Sequence, residues 1–572
     1  MLSTLRSRFR ASEAWFILLA IAIGGAAGLL AVIQGALART LQHVLFALPH
    51  DVRLSGVAQL GVGSLVMLPI GGIVLTLFGL ASRIRRRQLI DAVEANALHG
   101  GRMSLPDSLV ISGQTILSNG FGASVGLEAA YAQMGAAIAS VAGRWLSLRR
   151  ADQRTLVGAG TGAAIAAAFG APLAGAFYAF EIVIGAYTPS AIAPVAAAAL
   201  AGALVAQSFG LQPYVIDAAS GAQVETHHYL IYACLGAICA LLGIVLMRAV
   251  ALVERATRGA PLPDNWRPAI GGLLLIPIAM VSPQVLSSGH GALHIDLAMG
   301  ASIGFIALVL VAKSAASIVS LGFGFRGGLF FASLFLGTLI GHLFADLLAA
   351  GFGYAVVDPR NAAMVGMAAL AVAVVGGPMT MAMLVLQATH DFSLTGAVVA
   401  ASLVSSSIVR ELFGYSFSTW RLHLRGETIK SARDVGWVKT LTAGRMMRRE
   451  TRATPAAVSI ADFRRSFPLG STSRVVLVDA DDLYAGIVVV PAAFAEGLDS
   501  QAPVATLSTV ATTLAPDMDI AAVMKAFDAA GVDELAVLAE DRHVLGVISE
   551  SYVRRRYAEE LEKTQRELFG ER

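Results

Sequence analysis

Residues 120–139 read GFGASVGLEAAYAQMGAAIA. The stretch is apolar and rich in glycine, and Glu128 is the only charged residue between Asp107 and Arg144. A carboxylate so isolated is costly wherever water is scarce, and it calls for either a partner or a function. Water is scarce along most of this chain. Of its 572 residues 56% are hydrophobic and 14% are charged, against roughly a quarter charged in a soluble globular domain. From about Ala14 to Phe413 one hydrophobic segment follows another, several near the roughly 20 residues that carry a helix across a bilayer, and many are broken by Gly or Pro. After Trp420 the composition turns to mixed charges, short apolar runs and turn residues, which reads as a soluble domain beginning near Arg425 and Gly426.

The N-terminal MLSTLRSRFR runs into an apolar helix from Trp15 without the small-residue cleavage site of a signal peptide, so it reads as retained. Basic residues cluster at Arg6, Arg8 and Arg10, at Arg83, Arg85, Arg86 and Arg87, and at Arg421 and Arg425. The positive-inside rule puts these segments and the tail in the cytoplasm. Ordinary membrane topology accounts for the net charge of +3, and no nucleic-acid partner is implied. Cys234 and Cys239 lie five apart in one apolar segment, on different faces of a helix, which suits packing and neither a disulfide nor a metal.

A second stretch, Gly322 to Gly341, reads GFGFRGGLFFASLFLGTLIG. Set under the first without a gap, it repeats Gly120, Phe121, Gly122, Gly126, Leu127, Ala130, Gly135 and Ile138 at an offset of 202 residues. AAFGAPLAGAFYAFE, ending at Glu181, likewise resembles AVVGGPMTMAMLVLQ, ending at Gln387, with Pro172 over Pro378. Two near-equal offsets in the same order point to a duplicated membrane unit. Duplicated transport folds bring broken helices together near the midplane with their N-termini aimed at the substrate. The first N–H groups of a helix lack intrahelical partners, and that end carries about +0.5 of a charge. Two such ends facing one point would cradle a small anion without a lysine or arginine, which could hold it too tightly to release it. Glu128 stands at one helix start and the neutral Phe330 at the other. The Glu128 carboxylate can therefore occupy the anion position itself, and its protonation or displacement would open the path. The plainer alternative is a carboxylate that only stabilises its own helix N-terminus.

At these residues the chain resembles the CLC family of chloride channels and chloride/proton exchangers, of the bacterial type with a C-terminal CBS pair. Gly126-Leu127-Glu128-Ala129-Ala130 stands where the family carries G-x-E-G-P, which implies a gating role for Glu128. Gly327-Gly328-Leu329-Phe330-Phe331-Ala332 stands where it carries G-x-F-x-P, which implies anion binding at Gly126, Leu127, Gly328, Leu329 and Phe330, with the amides of Leu329 and Phe330 as the donors. The family's tyrosine ligand falls on Tyr415, for which the alternative is an interfacial tyrosine. Three departures bear on function. The G-S-G-I-P motif, with its selectivity serine, has no counterpart in RRRQLIDAVEANAL, where the register puts Gln88. The prolines of the other two motifs are missing. The exchangers carry paired acidic residues after A-P-L-A-G, the second being the internal proton acceptor; here APLAGAFYAFEI puts Glu181 first and Ile182 second. Glu181 is the residue that could substitute, unless it satisfies neighbouring backbone or pairs with Lys313.

The tail holds two similar α/β blocks, one from about Val438 through RVVLVDADDLYAGIVVV and one from near Val504 through DELAVLAEDRHVLGVISESYV, and resembles a CBS pair. Nucleotide-binding copies end the strand with Ser/Thr and place an Asp three residues later. Val489 with Ala492, and Ser549 with Tyr552, stand there instead, so nucleotide binding is disfavoured and bracing of a dimer is the preferred role.

The reading is an all-α polytopic membrane protein with a two-fold inverted repeat of broken helices and a small cytoplasmic α/β domain: residues 1–425 for transport, a linker at 426–437, and a CBS pair at 438–572. Its function is transmembrane anion transport, channel-like or weakly proton-coupled, with a glutamate gate. The alternative is a chloride/proton antiporter using a different internal acceptor. A CBS-linked cation transporter fits less well, because the apolar segments offer only Glu128 and Glu181 as isolated carboxylates. A membrane-anchored sensor would leave the duplication unexplained. No nucleophile or base surrounds His227, His228, His290 or His294, so no enzyme is indicated, and no cofactor or metal is called for. The expected partners are chloride or a similar small anion, the lipid bilayer and a second copy in a homodimer with one pathway per subunit. The expected location is a bacterial inner membrane, with N-terminus and tail cytoplasmic.

Overall fold

In the computed structural model of the chain, which describes residues 12–49, 52–82, 90–210, 222–292, 302–423, 441–508 and 512–569, the membrane part runs through one series of helices twice. The first series begins with α1 (Glu13–Phe46), α2 (Met67–Ala81) and α3 (Ala92–Leu98). It continues with α4 (Leu105–Gly120), α5 (Glu128–Trp145), α6 (Arg150–Phe169), α7 (Pro172–Tyr178) and α8 (Pro189–Ser208). The second comprises α9 (His228–Gly259), α10 (Arg267–Val281), α11 (Ile303–Gly322), α12 (Phe330–Phe352), α13 (Pro359–Val375), α14 (Pro378–Thr389), α15 (Phe392–Leu412) and the short α16 (Phe417–His423). Among the described residues seven helical stretches are long and apolar enough to cross a membrane, and several others, α7 and α14 among them, are too short.

Local chemistry sets the breaks. Gly170 ends α6 at φ +63°, a left-handed conformation that costs glycine little, and Pro172 then opens α7. The second half repeats the device with Gly376 at φ +92° and Pro378 opening α14. Proline is suited to the first helical turn because its missing N–H would have had no partner there. Equivalent packing follows in each half. A Cβ on Gly135 of α5 would overlap the Gly160 carbonyl oxygen of α6, and a Cβ on Gly337 of α12 would overlap that of Gly366 in α13. Both helix pairs close to backbone contact, as small residues allow where lipid supplies no hydrophobic drive between helices.

The chain divides into two compact units, Met1–Asp434 and Val435–Arg572. The segment expected to link them, 426–437, lies outside the described residues, as do Val438 and the arginines at 6, 8, 10, 83, 85, 86, 87 and 425. On α9, Cys234 is exposed and Cys239 buried, as their spacing implies.

The second unit is itself repeated. Strands β1 (Ala453–Pro455), β2 (Arg474–Val478) and β3 (Tyr484–Val489) form one sheet, and β4 (Glu534–Leu538) and β5 (Val544–Ser549) another. The hairpins β2–β3 and β4–β5 are antiparallel and shift register at matching places, Leu477/Val478 and Val537/Leu538. Their turns carry Asp482 at φ +62° and Arg542 at φ +67°.

Candidate functional site

The two loops singled out by the repeat meet. Gly126 donates its N–H to the Gly328 carbonyl at 2.9 Å, and Gly328 donates to the Gly126 carbonyl at 3.3 Å, in an antiparallel bridge. These are equivalent residues, 202 apart in the sequence, so the two halves of the repeat meet at this pair. Buried polar contacts fix the loops. Asn119 Nδ2 donates to Val125 O at 2.7 Å and to Ser288 Oγ at 3.1 Å, and the Ser124 N–H donates to Ser320 Oγ at 2.9 Å. The fully buried Lys313 directs Nζ to the carbonyls of Val285 at 3.0 Å and Ser287 at 2.8 Å. Two carbonyl oxygens on Nζ satisfy a polar group that would be costly to bury without partners.

Glu128, the first residue of α5, is buried. Its carboxylate lies over the bridge: a Cβ on Gly126 would overlap Glu128 Oε2, and one on Gly328 would stand 3.8 Å from both Glu128 Oε2 and the Phe330 nitrogen. Backbone hydrogen bonds from Glu128 itself and from Phe331 reach the carboxylate, while Oε2 is buried and accepts none. The first-half glutamate is therefore seated at the N-terminus of the second-half helix. Neither Leu127 nor Leu329, the residues that precede α5 and α12, offers a side-chain cap. The positive end of α12 is left to whatever anion stands before it.

Glu128 lines a cavity of about 150 Å³, large against the roughly 30 Å³ that one water occupies in the liquid. Asp91, Thr115, Gln133, Tyr178 and the Gly327–Phe330 run also line it, as do Arg326 and, from α16, Phe417, Ser418 and Arg421. Asp91 Oδ1 accepts the Glu94 N–H at 2.8 Å and caps α3.

The structure brings some expected residues to this cavity and not others. Gly328, Leu329 and Phe330 line it; Gly126 and Leu127 do not. The amides of Gly126 and Gly328 are spent on each other's carbonyls, so these glycines set the approach of the loops rather than donate to a ligand. Tyr415 is not a lining residue. Its hydroxyl stands 3.2 Å from His423 Nδ1 and its ring stacks on the His423 ring, centroids 4.6 Å apart. The contribution of α16 comes from residues two to seven places further on. Gln88 lies outside the described residues.

Glu181 sits in a π-helical turn, Ala179–Ile184, and its carboxylate caps α14. Oε1 accepts the Met379 N–H at 3.1 Å, and Oε2 accepts the Thr380 N–H at 2.9 Å and the Thr380 hydroxyl at 2.7 Å. Of the two structural roles open to it, it satisfies backbone and leaves Lys313 to other partners. Ile182 packs towards Gly377. Sequence reasoning missed Arg326 and Arg421 as site residues, and it left His290 as a loop residue although its ring stacks on Phe331 with centroids 3.4 Å apart. The motif containing Arg326 was the signal available for the first of these.

Comparison with known proteins fits this architecture. The family described as Voltage gated chloride channel matches residues 73–410. A ClcB-like chloride channel relative from Ralstonia nicotianae is 32% identical over 323 residues, covering 54% of this chain and 73% of that one. A voltage-gated ClC-type chloride channel, ClcB, of Escherichia coli is 26% identical over 200 residues, covering 35% of this chain and 47%, about half, of its own length. Among solved structures, a slow cyanobacterial Cl−/H+ antiporter matches with TM-score 0.63 at 22% identity, over 72% of this chain and 97% of that one. A eukaryotic CLC transporter matches with TM-score 0.59 at 16% identity, over 96% and 98%. At these identities the structural likeness speaks for the fold.

Proposed function

The chain belongs to the voltage-gated chloride channel (CLC) family, and from that membership in an anion-transport family, not an enzyme family, we propose that it conducts chloride or a similar small anion with Glu128 as the gate and with weak or no proton coupling. The seat of the Glu128 carboxylate at the N-terminus of α12 is the observation that carries this reading. In that position the carboxylate takes the Phe331 amide at the start of α12, beside the amides of Leu329 and Phe330 that this proposal assigns to a permeating anion. Protonation removes its charge, and an arriving anion competes with it for the same helix end. Either event opens the path.

Weak coupling is supported by the second carboxylate. Both oxygens of Glu181 are committed to the cap of α14, and Ile182 has no group that takes a proton. A role as an antiporter through another internal acceptor draws support from the fold shared with Cl−/H+ and fluoride/proton antiporters. The two are separated by one measurement: chloride efflux and proton movement recorded together from reconstituted liposomes under a chloride gradient with valinomycin. Chloride efflux without proton movement supports the channel-like reading; proton uptake in fixed ratio to chloride supports the antiporter.

The second unit serves in this proposal as a CBS pair that braces a homodimer rather than as a nucleotide sensor. The protein is placed in a bacterial inner membrane with both termini in the cytoplasm, as the arginine distribution favours.

A further inference from the structure

The cavity that holds Glu128 also holds a second carboxylate. Asp91 lines it too, with Tyr178 as a third titratable neighbour. Glu128 is buried, whereas Asp91, at the head of α3, is half-buried. Each carboxylate keeps one oxygen uncommitted among the described residues. Asp91 gives Oδ1 to the Glu94 N–H, while its Oδ2 meets no donor there. Glu128 Oε2 likewise accepts none. The Tyr178 hydroxyl has no hydrogen-bond partner among the described residues, and the charges of Asp91 and Glu128 both act on it. Its ring is set edge-on to Phe330 at the start of α12, centroids 6.0 Å apart. A cavity of about 150 Å³ has room for water between these groups. The other charged groups that face this space are poor sources of a proton. Arg326 and Arg421 also line the cavity, and a guanidinium does not give up its proton in a protein. Lys313 acts on Glu128 from α11, with Nζ committed to the carbonyls of Val285 and Ser287. The two arginines favour an ionised Glu128, as does any charge on Lys313, so protonating it calls for a donor close at hand. Asp91 stands four residues after Arg87, in the basic cluster that the proposed topology puts at the cytoplasmic face.

We propose that Asp91 is the proton donor to the gate, taking protons from the cytoplasmic side and passing them across the cavity to Glu128 by way of water and the Tyr178 hydroxyl. The proposal rests on the reading of Glu128 as the gate. A proton from cytoplasmic water binds Asp91 Oδ2. It then leaves through water to the Tyr178 oxygen, the phenol gives its own proton onward, and Glu128 Oε2 receives one. Asp91 ends ionised, Tyr178 neutral as it began, and Glu128 neutral. Only O–H bonds break and form. A proton that returns by the same route opens and closes the gate without net proton transport, in keeping with weak coupling. The half-buried carboxylate thus gives the buried one an access to cytoplasmic pH that its own position denies it.

The test uses the full-length protein in membrane vesicles from expressing cells, either everted, so that added acid meets the cytoplasmic face, or right-side-out, so that it meets the other. Chloride flux is followed with a chloride-sensitive dye after stopped-flow mixing to acid pH, and the readout is the delay before the flux reaches its acid rate. In everted vesicles Asp91→Asn should lengthen the delay by about a hundredfold, the low end of what a positioned proton donor contributes. Asn caps a helix about as well as Asp does, so α3 is kept, and Asp91→Glu should restore most of the speed. In right-side-out vesicles Asp91→Asn should follow the time course of the unsubstituted protein. Tyr178→Phe keeps the ring and removes the hydroxyl; it should also lengthen the delay in everted vesicles, and it decides the matter if Asp91→Asn does not fold. Added to Glu128→Gln, which needs no proton, Asp91→Asn should lengthen nothing. An unchanged delay in everted vesicles would overturn the proposal. So would an equal lengthening in both orientations, which would make Asp91 a fixed charge beside the gate. If flux through the unsubstituted protein ignored pH on both faces, the gate reading itself would fall, and the donor with it.

Discussion

Glu181 and Gln387 cap each other's halves of the molecule. The Glu181 carboxylate accepts the N–H groups of Met379 and Thr380 at the start of α14, and Gln387 Oε1 accepts the Ala174 N–H at 3.0 Å at the start of α7. The two residues are equivalent in the repeat, 206 apart, as are Pro172 and Pro378, which open the helices they cap. A two-fold axis thus accounts for a carboxylate that would otherwise invite a proton-transfer role. Glu181→Ala, by leaving two partly buried N–H groups without acceptors, should destabilise the protein by about 1–3 kcal/mol. Glu181→Gln should be milder because it keeps an acceptor. Thermal unfolding in detergent reads both. The ratio of proton to chloride movement should be the same in Glu181→Gln as in the unsubstituted protein, and a change in that ratio would return Glu181 to the proton pathway.

The gate makes a prediction with a definite sign. Protonation removes the negative charge that competes with the anion at the start of α12, so chloride efflux should rise as pH falls. Glu128→Gln keeps the size and polarity of the side chain but fixes it without charge, so its efflux should be fast and nearly flat with pH. Liposome efflux measured from about pH 7.5 down to the usual carboxylate range near 4.3 checks it. A retained pH dependence in Glu128→Gln would assign the gate to another group.

How much of this is legible in the sequence depends on whether a residue's role is carried by pattern or by geometry. The offset of 202 residues marks the duplication, and the bridge between Gly126 and Gly328 realises it in contact. The lone charge at Glu128 marks the site because a carboxylate among glycines and alanines at membrane depth is too costly to be incidental. Tyr415 is placed by its position before the tail, but the sequence does not show that His423, at the far end of the short helix that follows, takes its hydroxyl and ring. Gly126 and Gly328 read as anion-binding positions because they stand in the two matching glycine-rich motifs, where the family resemblance places the anion. Only the partner loop, 202 residues away, shows that their amides are spent on each other's carbonyls. Arg326 reaches the site through a loop whose path no periodicity encodes.

Because α5 and α6 touch where α12 and α13 touch, the two halves should fail alike. Gly135→Ala drives a methyl group into the Gly160 carbonyl oxygen, and Gly337→Ala drives one into that of Gly366. Overpacking of this kind costs about 1–3 kcal/mol where the backbone can give, and more where it cannot. Each single substitution should lower the unfolding temperature by a similar amount. Gly304→Ala, at a helical glycine whose added Cβ meets nothing within 4 Å, should leave it unchanged and serves as the control.

The second unit supplies a prediction about what does not regulate the protein. A nucleotide's ribose hydroxyls need an acidic acceptor beyond the end of a strand. The strands β3 and β5 end at Val489 and Ser549, and three residues on stand Ala492 and Tyr552. Ser549 alone matches the Ser/Thr of the first position, and neither repeat places a carboxylate at the second. ATP or AMP titrated against the full-length protein by calorimetry should therefore give no saturable heat, and chloride efflux should be the same with and without nucleotide. A saturable signal that is lost in Ser549→Ala would instead assign the site to the second repeat, and with it a regulatory role for the tail.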